Sequence, residues 1–132
     1  MQITYLDNLK PATGQVISLY ESAGLPRPTG DYERIKEMYQ NSDVVITAWD
    51  GELLVGAARS ITDWVWSCYL ADLAVRDGYQ GKGIGKRMIE ITKEKLGEKS
   101  GILLLSVPDA MEYYPKIGFT KVENGYIIYR EK

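Results

Sequence analysis

Two periods of apolar residues alternate along this chain and divide it into strands and helices. Gln2 to Leu6 alternates apolar and polar positions, the two-residue period of a half-buried strand. Ala12 to Ala23 and Asp31 to Gln40 repeat apolar residues at three- and four-residue steps and predict two short helices. The connector Gly24 to Gly30 holds two prolines and two glycines, so it cannot be helical. Val44 to Trp49 and Glu52 to Thr62 read as a hairpin about Asp50-Gly51, a dipeptide suited to a two-residue turn. Trp64 to Val75 predicts a long central strand. From Gly83 to Leu96 the spacing predicts a helix with Ile84, Met88 and Ile91 inward and Lys86, Glu90, Lys93 and Glu94 outward. Ile102 to Val107 is apolar except at Ser106, as expected of a strand covered on both faces. Phe119 to Val122 and Tyr126 to Tyr129 predict a closing hairpin around Asn124-Gly125. No repeat or linker interrupts this order, which reads as one mixed α+β domain spanning residues 1–132.

Composition narrows the function classes. At 132 residues, 45% hydrophobic and 26% charged, the chain suits a soluble globular protein with a real core. A net charge of -2 argues against a general nucleic-acid binder. No apolar run approaches the ~20 residues that span a bilayer, and Met1 to Tyr5 alternates like a strand rather than opening a signal peptide. The single cysteine excludes an internal disulfide and fits a cytoplasmic setting. The absence of histidine removes Ser-His and Cys-His nucleophile pairs and His-ligated zinc, so no metal is expected. Cys68 then reads as a small buried strand residue.

The candidate chemistry lies in Gln80-Gly81-Lys82-Gly83-Ile84-Gly85, between the long strand and the amphipathic helix. A strand that turns through glycines into a helix aims unpaired N–H groups and the positive end of the helix dipole at one point. That is an anion site, to which Lys82, Lys86 and Arg87 add charge. A mononucleotide loop would need Gly at position 80 and Ser or Thr at 87, where this chain has Gln80 and Arg87. A dinucleotide fingerprint starting at Gly81 or Gly83 would end on Lys86 or Met88 rather than glycine.

The spacing Gln80, Gly83, Gly85 resembles the [Q/R]-x-x-G-x-[G/A] acetyl-CoA loop of the GNAT superfamily of N-acetyltransferases. A second segment, Ala110-Met111-Glu112-Tyr113-Tyr114-Pro115-Lys116-Ile117-Gly118-Phe119, is similar to that superfamily's A-x-x-F-Y-x-K-x-G-F signature, with Tyr113 where Phe is usual. Val107 departs from the family pattern, which often has Asn there. The resemblance implies a single N-acetyltransferase domain with a mixed, mostly antiparallel sheet of about six to seven strands and flanking helices. It also implies acetyl-CoA as cosubstrate and direct transfer of the acetyl group to a primary amine, on a small molecule or a peptide, in a ternary complex. A non-catalytic acyl-CoA-binding sensor is the alternative, since the loop would bind cofactor whether or not chemistry follows.

Site residues follow from the same resemblance. Gln80, Gly81, Lys82, Gly83, Ile84, Gly85 and Lys86 would hold the pyrophosphate, and the backbone of Leu73, Ala74 and Val75 would hold the pantetheine arm. Tyr114 matches the tyrosine that protonates the departing sulfur and would also touch the cofactor, with Tyr113 facing the core. Asp72, on the central strand near where the strands part, is the candidate base, with Asp63 as the alternative and Glu112 facing solvent. Gly24 to Asp31 and Ile61 to Trp66 would border the acceptor. Their Arg27, Asp31, Tyr32, Asp63, Trp64 and Trp66 suit a cationic, aryl-bearing amine and would equally suit a homodimer contact.

Overall fold

A computed structural model describes residues 2–132, and Met1 lies outside the described residues. The elements in chain order are β1 (Thr4–Leu6), α1 (Thr13–Ala23), α2 (Tyr32–Gln40), β2 (Val44–Asp50), β3 (Leu53–Thr62), β4 (Cys68–Val75), α3 (Ile84–Leu96) and α4 (Tyr113–Lys116), with a 3-10 turn at Pro108–Ala110 before α4. The four strands form one sheet in the order β1-β2-β3-β4, each pair antiparallel. The connector begins where Gly24 takes a left-handed φ of 71°. It ends where the Asp31 side chain accepts from the Arg34 N–H, capping α2.

The sheet is the middle of three layers. On one face α3 buries Ile84, Met88, Ile89 and Leu96 against Val44, Ile46, Val55, Cys68 and Leu70. On the other, α1 and α2 bury Val16, Leu19, Tyr20, Ile35 and Tyr39 against Val45, Trp49, Leu54, Ala57 and Ala74. Both faces are covered, so every β2 residue from Val44 to Trp49 is buried. A bulge interrupts the β3–β4 ladder: Ser60 pairs with Leu70 and Arg59 with Asp72, leaving Ala71 as the extra residue. The extra residue inverts the side-chain alternation. Cys68 and Leu70 face α3, whereas Asp72 and Ala74 turn toward α1 and α2.

Three strand expectations need correction. Residues 64–67 are a turn: the Asp63 Oδ1 accepts from the N–H groups of Val65, Trp66 and Ser67 at 2.9–3.1 Å, and Trp64 sits at φ 73°. The apolar run 102–107 pairs with β4 only at its start, where Leu103 bridges Tyr69 in parallel. Beyond the bulge β4 and this run diverge, so the ladder ends at Leu70. The hairpin expected at 119–129 is absent too, and the sheet has four strands instead of six or seven. Alternation in sequence selects the face a strand buries but not whether it finds a partner. With no ladder at 104–107 to dock on, a lone two-stranded ribbon is marginal. The tail instead runs back to α2, where the Lys132 carbonyl accepts from Arg34 Nη2 at 2.8 Å.

Candidate functional site

The glycine loop forms as the anion-site geometry requires. Gly78, Gly81 and Gly83 all take left-handed φ values, between 76° and 87°, as the chain leaves β4 and enters α3. Gly83 is the N-cap, and no side chain caps the helix. Arg87 is the first α3 amide bonded within the helix, to the Gly83 carbonyl at 3.0 Å. The N–H groups of Ile84, Gly85 and Lys86 therefore point out of the helix start with no acidic residue in the first turn. Gly85 is needed for a different reason. A Cβ there would stand 3.4 Å from the Tyr113 hydroxyl and 3.7 Å from Val75, so the helix start, β4 and α4 converge on it.

Side chains around the loop divide in two. Lys82 and Lys86 are exposed and form no ion pair among the described residues. Arg87 is spent elsewhere, paired with Glu90 and Glu94 at 3.2–3.3 Å along the helix. Gln80 donates from Nε2 to the Val75 carbonyl at 2.9 Å, fixing the end of β4 rather than facing outward. Gly78 was not singled out from the sequence. Its Asp77-Gly78 dipeptide is a turn signal that could have found it.

The outer edge of β4 opens beside this loop. The Ala71 carbonyl accepts from Arg27 and the Val75 carbonyl from Gln80, both outside the sheet. Main-chain groups alternate direction along a strand, so Leu73, midway between them, turns its N–H and C=O toward the same unpaired edge. A cleft of about 40 Å³ lies along it, bordered by Leu73, Leu104, Val107, Arg27 and Tyr114. Tyr114 is held edge-on against Phe119 and Tyr113, with ring centres 5.6 and 5.3 Å away.

Tyr114 lies at the cleft while also reaching the core, and Tyr113 departs from its core-facing expectation. Tyr114 packs against the core cluster under α3, whereas Tyr113 is 38% exposed and turns its hydroxyl to Gly85. Burial pushes the Tyr114 phenol up, and the neighbouring Tyr113 adds to the shift, so it stays protonated. Glu112 is exposed, as expected. Val107 borders the cleft and brings no side-chain hydrogen bond to it.

Asp72 does not stand free in the cleft. Its side chain is fully buried, with Oδ1 2.6 Å from Arg27 Nε and Oδ2 2.7 Å from Arg59 Nε. Oδ2 also accepts from the Tyr20 hydroxyl at 2.7 Å, and that hydroxyl meets Tyr39 at 2.6 Å. Burial alone would raise the carboxyl. The Arg59 hydrogen bond and charge, the Arg27 charge and the Tyr20 bond outweigh it and hold the group below the ordinary carboxylate range. A carboxylate sealed in this way and shared by two guanidiniums is a weak proton acceptor held away from an incoming amine, which speaks against the base role. Linkage makes it a pH-dependent contribution to folding. With the native pKa depressed, that contribution is present in full above ~4 and is lost as pH falls from there through the lower native value. Urea denaturation from pH 7 to pH 3 is expected to show this slope, and Asp72→Asn to lack Asp72's share of it.

The segments expected around the acceptor separate. The α1–α2 connector lines the cleft through Leu25 and Arg27. The loop holding Asp63 and Trp66 sits at the other end of β4, where a hollow of about 280 Å³ is bordered by Trp66, Tyr69 and Leu103. Asp63 is held below its usual range by the N–H groups of Ser67, Trp66 and Val65, so it organises the turn. Cys68 is buried and unpaired, and burial pushes its thiol up. Among the described residues no helix is long and apolar enough to cross a membrane, and no cluster of candidate metal ligands occurs.

A model of the acetyltransferase (GNAT) family matches residues 14–119 of this chain. An uncharacterised N-acetyltransferase, ycf52, of Pyropia yezoensis is 31% identical over 119 residues, covering 83% of this chain and 68% of the relative. A GNAT-family acetyltransferase from Streptococcus pneumoniae superposes with a TM-score of 0.82 at 23% identity, covering 99% of this chain and all (100%) of that one. The aminoglycoside N-acetyltransferase AAC(6')-Iy, solved in complex with CoA, shares the fold with a TM-score of 0.73 at 14% identity, over 99% and 95% of the two chains.

Proposed function

The chain belongs to the acetyltransferase (GNAT) family, and on that premise we propose that it moves the acetyl group of acetyl-CoA to a primary amine by direct attack within a ternary complex. The observation that carries this reading is the open edge of β4 at Leu73, set beside the uncapped start of α3 and the Tyr114 ring. That a protein of the same fold was solved with CoA supports the choice of cosubstrate.

Acetyl-CoA supplies an activated thioester, and the residues present fit it. The Ile84, Gly85 and Lys86 amides, with the Lys82 and Lys86 charges, would hold a pyrophosphate at the dipole's positive end. Gly81 and Gly83 let the backbone approach it closely. Leu73 and the Val75 N–H would offer the open edge to the extended arm as a neighbouring strand would, with the Leu73 N–H placed to donate to the acetyl oxygen. Tyr114, which burial keeps protonated, would donate its hydroxyl proton to the departing sulfur. The attacking amine gives up its proton to water, since Asp72 is committed to two arginines.

Titration calorimetry with acetyl-CoA, ATP and NAD tests the cosubstrate, and CoA release over a panel of amines tests the chemistry. Binding of ATP or NAD without acetyl-CoA would overturn the first. Acetyl-CoA binding with no CoA release for any amine would overturn the second. Gly83→Val is expected to weaken acetyl-CoA binding by roughly tenfold or more, because a branched side chain at φ 83° is strained and crowds the approach to the phosphates. Unchanged affinity would show that the loop is only a turn.

A further inference from the structure

The cleft beneath Tyr114 carries a charge that the transfer chemistry leaves unused. Among the described residues, Asp72 is the only carboxylate within ion-pair distance of Arg27 or Arg59. Two guanidiniums share one carboxylate, so two positive charges against one negative leave one in excess. The neighbouring phenols do not offset it, because burial keeps Tyr20 and Tyr39 protonated. Arg59 is sealed in, with its side chain 9% exposed, whereas that of Arg27 is 26% exposed and borders the cleft. A guanidinium has five N–H groups. On Arg27, Nε is bonded to Asp72, Nη1 to the Pro26 carbonyl at 2.7 Å and Nη2 to the Ala71 carbonyl at 2.9 Å. Two N–H groups remain, in a cleft otherwise walled by Leu25, Leu70, Leu73, Leu104 and Val107.

We propose that Arg27 is the anion anchor for the acceptor, and that the acceptor is a small amino carboxylate. The proposal rests on the acetyl-transfer reading above and names its substrate class. One positive charge in excess beside leucines is unfavourable, and a carboxylate that accepts from the two remaining N–H groups relieves it with charge-assisted hydrogen bonds. An amine without a carboxylate would bring a second cation to Arg27 with nothing to offset it.

The test is calorimetric titration of the CoA-loaded protein with N-acetylphenylalanine and, separately, with its carboxamide. The carboxylate is expected to bind at least ~10-fold tighter. Equal affinities, tighter binding of the amide, or no binding of either at millimolar concentration would overturn the proposal. Arg27→Lys keeps the charge and the partner of Asp72 but loses the planar fork, and it is expected to lose most of the preference while binding acetyl-CoA normally. A preference that survives in both Arg27→Lys and Arg27→Gln would also overturn the proposal. A protein that acetylates phenethylamine as well as phenylalanine keeps the acetyl-transfer reading and loses this one. A protein that binds no acetyl-CoA loses both.

Discussion

Replacing Asp72 with alanine is expected to lower the free energy of unfolding by about 3–5 kcal/mol, the penalty for stranding buried charge. Arg59 would keep a guanidinium in a sealed site with only the Ser42 hydroxyl and the Tyr39 ring beside it. Arg27 would lose the contact that pins the connector to β4, and the Tyr20 hydroxyl would lose its acceptor. Against a total stability of about 5–15 kcal/mol this is a large share, and the melting point should fall by roughly 10–20 °C. Urea unfolding of the two proteins measures it. A loss below about 1 kcal/mol would mean that the arginines find other partners and that the cluster is not what holds the connector.

Tyr114→Phe separates chemistry from packing. The change removes one oxygen and keeps the ring, so the edge-on contacts with Phe119 and Tyr113 survive and the fold should be unaffected. If the hydroxyl protonates the leaving sulfur, it acts in the transition state and little before it. Turnover should fall by ~10²-fold or more while the KM for acetyl-CoA stays nearly constant. Tyr113→Phe is the natural companion, because its hydroxyl lies over Gly85 and only the larger loss identifies the acid. Steady-state kinetics with any amine that turns over decides it, and equal turnover in wild type and Tyr114→Phe would remove the acid role.

The parts of this structure that were legible in the sequence are the local ones. The glycine spacing 81-83-85 and the apolar stripe after it are properties of one short segment, and both appear where the sequence puts them. The β2–β3 hairpin and the connector, bounded by Gly24 and Asp31, are equally local. What could not be read depends on distant partners. Asp72 looks like a lone strand carboxylate until Arg27, 45 positions away, and Arg59, 13 positions away, close on it. The fate of residues 102–129 turns on where β4 and the following run part; the resemblance put that parting near Asp72, but alanine at the bulged position carries no signal of its own. The outward turn of Tyr113 has the same origin. Adjacent residues on a four-residue helix can present either ring to the core, and the neighbours decide.

Ala71 leaves the strand out of phase with itself. Upstream and downstream of it, the same alternation of side chains answers to different layers, so Asp72 belongs with the connector while Leu73 and Val75 belong with α3 and the glycine loop. On the reading proposed above, acceptor recognition and cofactor grip would fall to neighbouring residues of one ribbon. Changes in the connector would then retune which amine enters without renegotiating the phosphate end.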